Sequence, residues 1–295
     1  MSERPAAPAE PPPPDLRARL RRLGFGLATV LGIARRGFFV PYRYAGTLPP
    51  AEGADAYAAL RPAFEARRDS FAGHLAVIER FAPALAAIGG EAAPAPRWDQ
   101  SWFPPLDAAA AYAMVRVRRP ATIVEIGSGH STRFLMRAVR DEGRSTRVVA
   151  VDPAPRAALP DGVERVRATL HAAALDIPAM LAPGDVLFLD SSHVLMPGTD
   201  VDTALNRIWP LLASGVIVHF HDIFLPDGYP PAWRWRGYNE QLGVAALIAA
   251  GGADILFASR FVATRMADAL AASVVARLKR AAGAVESSLW LEKRG

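Results

Sequence analysis

Cysteine is absent from the 295 residues. That excludes disulfides, thiolate metal sites and a cysteine nucleophile, and leaves the redox compartment open. Lysine is scarce. Only Lys279 and Lys293 occur, so arginine carries nearly all the positive charge behind a formal net charge of +5. The arginines gather in residues 16–36, in residues 133–147 and near the C-terminus. They form no single basic stripe interleaved with aromatics, so no specific nucleic-acid surface is expected. No apolar run reaches the roughly 20 residues that a membrane span needs; residues 23–34 fall short. The first residues, MSERPAAPAEPPPPD, have no basic start followed by an apolar run, so they do not read as a secretory signal. A cytoplasmic location is expected.

What is present is a chain 51% hydrophobic, enough for a sizeable core. Residues 1–14 are Pro/Ala-rich and are expected to form a disordered tail. Residues 15–97 read as a helical N-terminal region and residues 98–295 as the main domain. Within the former, residues 16–36 alternate arginines with apolar side chains. Such a segment can lie on an anionic membrane surface, pack on the main domain, or meet a second subunit in a homo-oligomer; packing on the domain is the favoured reading. Residues 52–89 carry helical spacing through Tyr57, Leu60, Phe64, Phe71, Leu75, Ile78 and Phe81, which predicts two helices ending at Gly89-Gly90.

From Asp107 the pattern changes. Asp107 is placed to cap a helix through AAAAYAMVRVRR. Strand-like runs then alternate with helical ones. ATIVEI, RVVAVD, VERVRA, DVLFLD, GVIVHF, ADILFAS and SSLWLEK are the strands; helices are expected after the first, over residues 200–212, in YNEQLGVAALIAAGG and near residues 266–280. Several strands are continuous apolar runs. That predicts an α/β fold, a Rossmann-like and mostly parallel seven-stranded sheet with helices on both faces. Ligands of such sheets bind beyond the carboxyl ends of the strands.

The strand ends are where the polar residues stand. The first strand runs into Glu125, Gly127, Ser128, Gly129, His130 and Ser131. The two glycines allow a sharp turn and close backbone approach. The third position of a dinucleotide fingerprint is Thr132, so that match is incomplete. Glu125 would repel a pyrophosphate and suits a ligand with positive charge. The second strand ends in Asp152, an acceptor for ribose hydroxyls. The fourth ends in Asp190-Ser-Ser-His193 and the fifth in His219-Phe-His221-Asp222. Asp190, His221 and Asp222 offer oxygen and nitrogen ligands for Mg²⁺ or another divalent cation. His193 is spaced to take a proton from a substrate hydroxyl. His219 is two residues before His221, deeper on the same strand face, and reads as structural. Trp233, Trp235, Tyr238, Asn239 and Glu240 either line the substrate mouth or start the next helix.

TIVEIGSGHST followed by VVAVD resembles the cofactor motifs of class I S-adenosylmethionine-dependent methyltransferases. The late SSLWLEK resembles their final antiparallel strand. WFPPLDAAAAYA, DVLFLDSSHV, GVIVHFHDIFLP and RGYNEQ resemble a bacterial small-molecule subgroup related to sugar O-methyltransferases. The resemblance covers residues 98–295. It implies an O-methyltransferase that binds S-adenosylmethionine through Glu125, Gly127, Ser128, Gly129, Asp152 and Asp190. It implies His193 and Asp190 as catalytic, and Asp190, His221 and Asp222 as the metal set, with His221 standing where relatives carry an acid. It also implies an acid after the third strand, which LHAAAL lacks. The substrate class is a small molecule such as a sugar or glycosylated metabolite. The alternatives are a metal-dependent hydroxylase-like enzyme on the same sheet, a nicotinamide oxidoreductase, which Thr132 and Glu125 disfavour, and a non-catalytic nucleoside-binding protein.

Overall fold

The computed structural model describes residues 15–48, 53 and 55–295. The expected tail over residues 1–14 lies outside them. Helix α1 (Leu16–Val30) is capped by Asp15, whose carboxylate accepts from the Ala18 amide at 2.7 Å, and it buries none of its residues. The periodic stretch before residue 90 forms three short helices instead of two: α2 (Arg61–Glu65), α3 (Arg68–Arg80) and α4 (Ala82–Ala86). Pro62 and Pro83 stand in the first turns of α2 and α4. A proline has no N–H to bond the preceding turn, so new helices start there. Phe64, Phe71, Leu75 and Ile78 share one core with the sheet. Phe71 meets Phe257 and Phe261 edge-on at 5.9 and 5.6 Å.

Helix α5 (Pro105–Arg118) corrects one expectation. Its N-cap is Pro104, and Asp107 lies in the first turn with no exposed surface. The rest of the chain runs β1 (Thr122–Ile126), α6 (His130–Glu142), β2 (Arg147–Val151), β3 (Val163–Val166), α7 (Ile177–Met180), β4 (Val186–Leu189), α8 (Asp200–Thr203), β5 (Ile217–Phe220), α9 (Glu240–Ala249), β6 (Ala253–Ala258), α10 (Ser259–Arg265), α11 (Ala267–Ala271) and β7 (Leu289–Lys293). Two expected helices differ. Residues 200–212 begin as α8, pass through a wider π-helical stretch and end in a 3₁₀ turn carrying Pro210. The helix expected near residues 266–280 starts earlier, at Ser259, and breaks at Met266 into α10 and α11.

The seven strands form one sheet in the order β3-β2-β1-β4-β5-β7-β6. β7 is inserted between β5 and β6 and runs antiparallel to both; the other pairs are parallel. β4 and β5 are buried at every position, as expected for strands covered on both faces. The register decides where chemistry can occur. Ile126 pairs with Val151 and with Leu189, and Leu189 pairs with Phe220. The next residues along these four strands are Gly127, Asp152, Asp190 and His221. Each donates its backbone N–H one step further up the ladder: Gly127 to Val151, Asp152 to Val166, Asp190 to Ile126 and His221 to Leu189, all within 2.9–3.0 Å. The four therefore stand in a row across one edge of the sheet, fixed by backbone bonds.

Candidate active site

The row forms the floor of a cleft of about 1230 Å³. On the β1–β2 side the turn after β1 is shaped by close approach. Gly127 has φ +79°, and a Cβ there would sit 1.8 Å from the Asp190 carbonyl oxygen, so only glycine fits. Asp152 Oδ2 accepts from the Ser128 amide at 2.8 Å and the Ser128 hydroxyl at 3.1 Å, its Oδ1 accepts from the Ala154 amide at 2.7 Å, and its carboxylate lines the cleft. Each carboxylate oxygen accepts about two hydrogen bonds, so capacity remains for a ligand. Thr169 and His171, after β3, line the same side where no acid occurs.

Glu125 does not reach the cleft, contrary to the sequence expectation. It is fully buried beneath the turn. Its carboxyl oxygens accept from the Ser131 and Thr132 hydroxyls, both at 2.6 Å, while the Thr132 hydroxyl accepts from the Gly129 amide at 2.9 Å. Thr132, which spoils the dinucleotide fingerprint, is part of this brace. Burial pushes the Glu125 carboxyl up to about 8, offset in part by the two hydroxyls and reinforced by Asp190 and Asp152.

On the β4–β5 side two histidines and four acids interlock. His193 Nδ1 meets Glu240 Oε2 at 2.8 Å, and its Nε2 faces Asp190 at 3.4 Å and Asp222 at 3.5 Å. His221 Nε2 meets Asp107 Oδ2 at 3.2 Å, and its Nδ1 faces Asp190 and Asp222, each at 3.5 Å. The two rings are thus mirror arrangements: a buried acid holds one nitrogen and presents the other to the same carboxylate pair. Burial opposes charge on both imidazoles, but the acids override it. Asp190, Glu240 and Asp222 raise His193 well above the ordinary imidazole range. Asp190, Asp222 and Asp107 do the same for His221. Burial works against ionised Asp190 too, yet the two imidazoles hold it well below the usual carboxylate range.

His193 and Asp222 also sit in the left-handed backbone region, at φ 58° and 53°. Non-glycine residues held there cost about 1–2 kcal/mol each. That strain is offset by the surrounding network: the Asn239 amide donates to the His193 carbonyl at 3.0 Å, and the Ser287 hydroxyl donates to Asp222 at 3.1 Å.

His219 is structural, as expected. It is fully buried, its Nε2 lies 2.8 Å from the Ser288 hydroxyl, and its ring stacks on Phe188 at 3.7 Å. Burial holds it well below the usual range, so it is neutral. Trp233, Trp235 and Tyr238 line the cleft, and Tyr238 lies against the His193 ring at 4.6 Å. Asn239 instead braces the His193 loop, accepting from the Leu195 amide at 2.6 Å. Two contributors escape sequence reasoning. Asp107 was read as a cap, and Ser287-Ser288 only as the start of a strand. Asp107 accepts from both serine amides at 3.0–3.1 Å besides holding His221. A polar residue two places inside an alanine-rich helix was the available signal.

The expected metal set is brought together but not arranged as an ion site. The oxygens of Asp190 and Asp222 face the imidazole nitrogens of His193 and His221 at 3.4–3.5 Å. Among the described residues no group of three or more His, Asp and Glu is positioned to hold an ion.

Residues 124–223 match the model of a methyltransferase domain family. The resemblance to methyltransferases read from the sequence is borne out by that match. Among solved structures, an O-methyltransferase from Bacillus cereus in complex with SAH is similar at 14% identity over 75% of this chain and 91% of that one, with TM-score 0.40. The SAH-bound methyltransferase PaMTH1 of Podospora anserina is similar at 17% identity over 75% and 93%, with TM-score 0.37. Cofactor-bound Rv0187 from MTB is similar at 16% identity over 84% and 99%, with TM-score 0.39. No curated protein matches.

Proposed function

We propose that this chain, whose residues 124–223 match the model of a methyltransferase domain, transfers a methyl group from S-adenosylmethionine to a hydroxyl of a small molecule, such as a sugar or a glycosylated metabolite. The observation that carries the reading is the row Gly127, Asp152, Asp190 and His221, held in register along one cleft.

The residues present fit the cofactor. Asp152 offers spare carboxylate capacity to a ribose, and the tight turn at Gly127 lets the backbone come close. When bound, S-adenosylmethionine supplies a methyl group made electrophilic by a sulfonium. The protein's part is then alignment and proton handling. Trp233, Trp235 and Tyr238 offer flat apolar walls to a ring-bearing acceptor. His193 Nε2 is the proton-handling atom. Glu240 fixes its ring by Nδ1, and Tyr238 packs against its face. Against burial, Asp190, Glu240 and Asp222 raise the ring's affinity for a proton, so Nε2 of the neutral ring is the atom placed to take the hydroxyl proton as the acceptor oxygen is methylated.

A divalent cation at Asp190, His221 and Asp222 has no step in this mechanism. Among the described residues these three side chains are not arranged to hold an ion, and each imidazole is engaged by the carboxylates around it.

Calorimetry with S-adenosylmethionine and S-adenosylhomocysteine tests the reading. Micromolar binding of both is expected. Absence of binding by the intact chain would sink it.

A further inference from the structure

The cleft accounts for the polar residues of the strand ends but not for residues 16–48. Fourteen of the eighteen large apolar side chains exposed among the described residues fall in this one segment. Leu16, Leu20, Leu23, Leu27 and Val30 recur at helical spacing, so they form one stripe along α1. Leu20 is 60% exposed and Leu16 71%. Past the helix, Leu31, Ile33, Phe38, Phe39 and Val40 are also uncovered. Scattered apolar side chains need no explanation, but a contiguous uncovered set of this size does.

The charge of the segment is equally one-sided. It holds Arg17, Arg19, Arg21, Arg22, Arg35, Arg36 and Arg43, and no acidic residue. Its position is not remote: Asp15, Ala18, Arg35 and Phe38 line the mouth of the cleft. Beside them an apolar groove of about 490 Å³ runs between α1 and Trp235, and Trp235 also lines the cleft.

We propose that residues 16–44 dock the protein on an anionic lipid bilayer, with the mouth of the cleft turned to the lipid surface. Apolar side chains enter the acyl boundary while arginines meet the head groups. A second copy of the chain is the poorer occupant, because a symmetric contact would set seven arginines against seven with no acid between them. No helix among the described residues is long and apolar enough to cross a membrane, so the contact is with the surface.

The test is co-sedimentation of the full chain with vesicles of phosphatidylcholine alone and of phosphatidylcholine mixed with phosphatidylglycerol. Three proteins are compared: wild type, Arg17→Glu/Arg21→Glu, and Leu16→Ser/Leu20→Ser. None of these four side chains lines the cleft. Wild type should pellet with the mixed vesicles only, and high salt should release it. Each reversed arginine should weaken binding roughly fivefold or more, and the serine variant should lose binding too. Both variants should keep the unfolding temperature of wild type and its affinity for S-adenosylhomocysteine. Wild type staying in solution, binding both vesicles equally, or losing nothing in the variants would overturn the proposal. So would a lipid-free dimer that the serine variant splits, which would assign the face to a second subunit. The vesicle result is independent of whether the cofactor reading holds.

Discussion

The two halves of the cleft floor are built differently. Under the turn after β1, the acid Glu125 faces away from the ligand space and clamps hydroxyls. Beyond β4 and β5 the acids face one another across two imidazoles. The first half is a brace of neutral hydrogen bonds. The second is a set of opposed charges held in strained backbone. On the proposed function, the difference suits one half to holding a fixed partner and the other to moving a proton. Rigid positioning needs satisfied donors; proton transfer needs an ionisable group held in place with a free nitrogen or oxygen facing the substrate space.

The largest expected effect lies in the charged half. His193→Ala should lower methyl transfer roughly 10²–10⁴-fold, read as S-adenosylhomocysteine formation with a hydroxyl-bearing acceptor, while cofactor affinity stays unchanged. Equal loss of both would make His193 structural and erase the contrast between the halves. Asp107→Ala comes next. It strips the partner from buried His221 and two backbone donors, and should destabilise the protein by about 3 kcal/mol in denaturant titration. A change under about 0.5 kcal/mol would show that the mirror pair is not a structural unit.

The third prediction concerns the brace. Glu125 holds its proton up to about pH 8 in the folded chain, against 4.5 for the ordinary carboxyl. Between those values the folded state binds more protons than the unfolded one, so stability falls as pH rises through that window. In Glu125→Gln this contribution should vanish, and denaturation at a series of pH values should show a flatter profile. Identical slopes in the two proteins would place the titration elsewhere. The smallest effect is expected from metal removal. Chelation followed by assay should leave turnover unchanged, and recovery on adding Mg²⁺ after a loss would restore the metal reading of Asp190, His221 and Asp222.

The row itself was legible in the sequence. Gly127, Asp152, Asp190 and His221 each end an apolar run, and a parallel sheet gathers such ends. The final strand was legible as an element, but its place between β5 and β6 was not, since pairing order is set by long-range packing. The second layer was hidden for the same reason. Asp107 is 114 residues from His221 and Glu240 is 47 from His193. Local pattern offered each a plausible job at a helix start. Glu125 was misjudged because strand alternation does not tell a side chain aimed at the ligand from one aimed under the turn.

One measurement reaches the central claim, that the floor divides into a cofactor half and a proton-handling half. It is the affinity for S-adenosylhomocysteine of Asp152→Ala set beside that of His193→Ala, by calorimetry. The account predicts that Asp152→Ala loses at least about tenfold, having removed a charged hydrogen bond to a ribose worth roughly 1.5–3 kcal/mol, while His193→Ala binds as wild type does. Unchanged affinity in Asp152→Ala, or an equal loss in both, would contradict it.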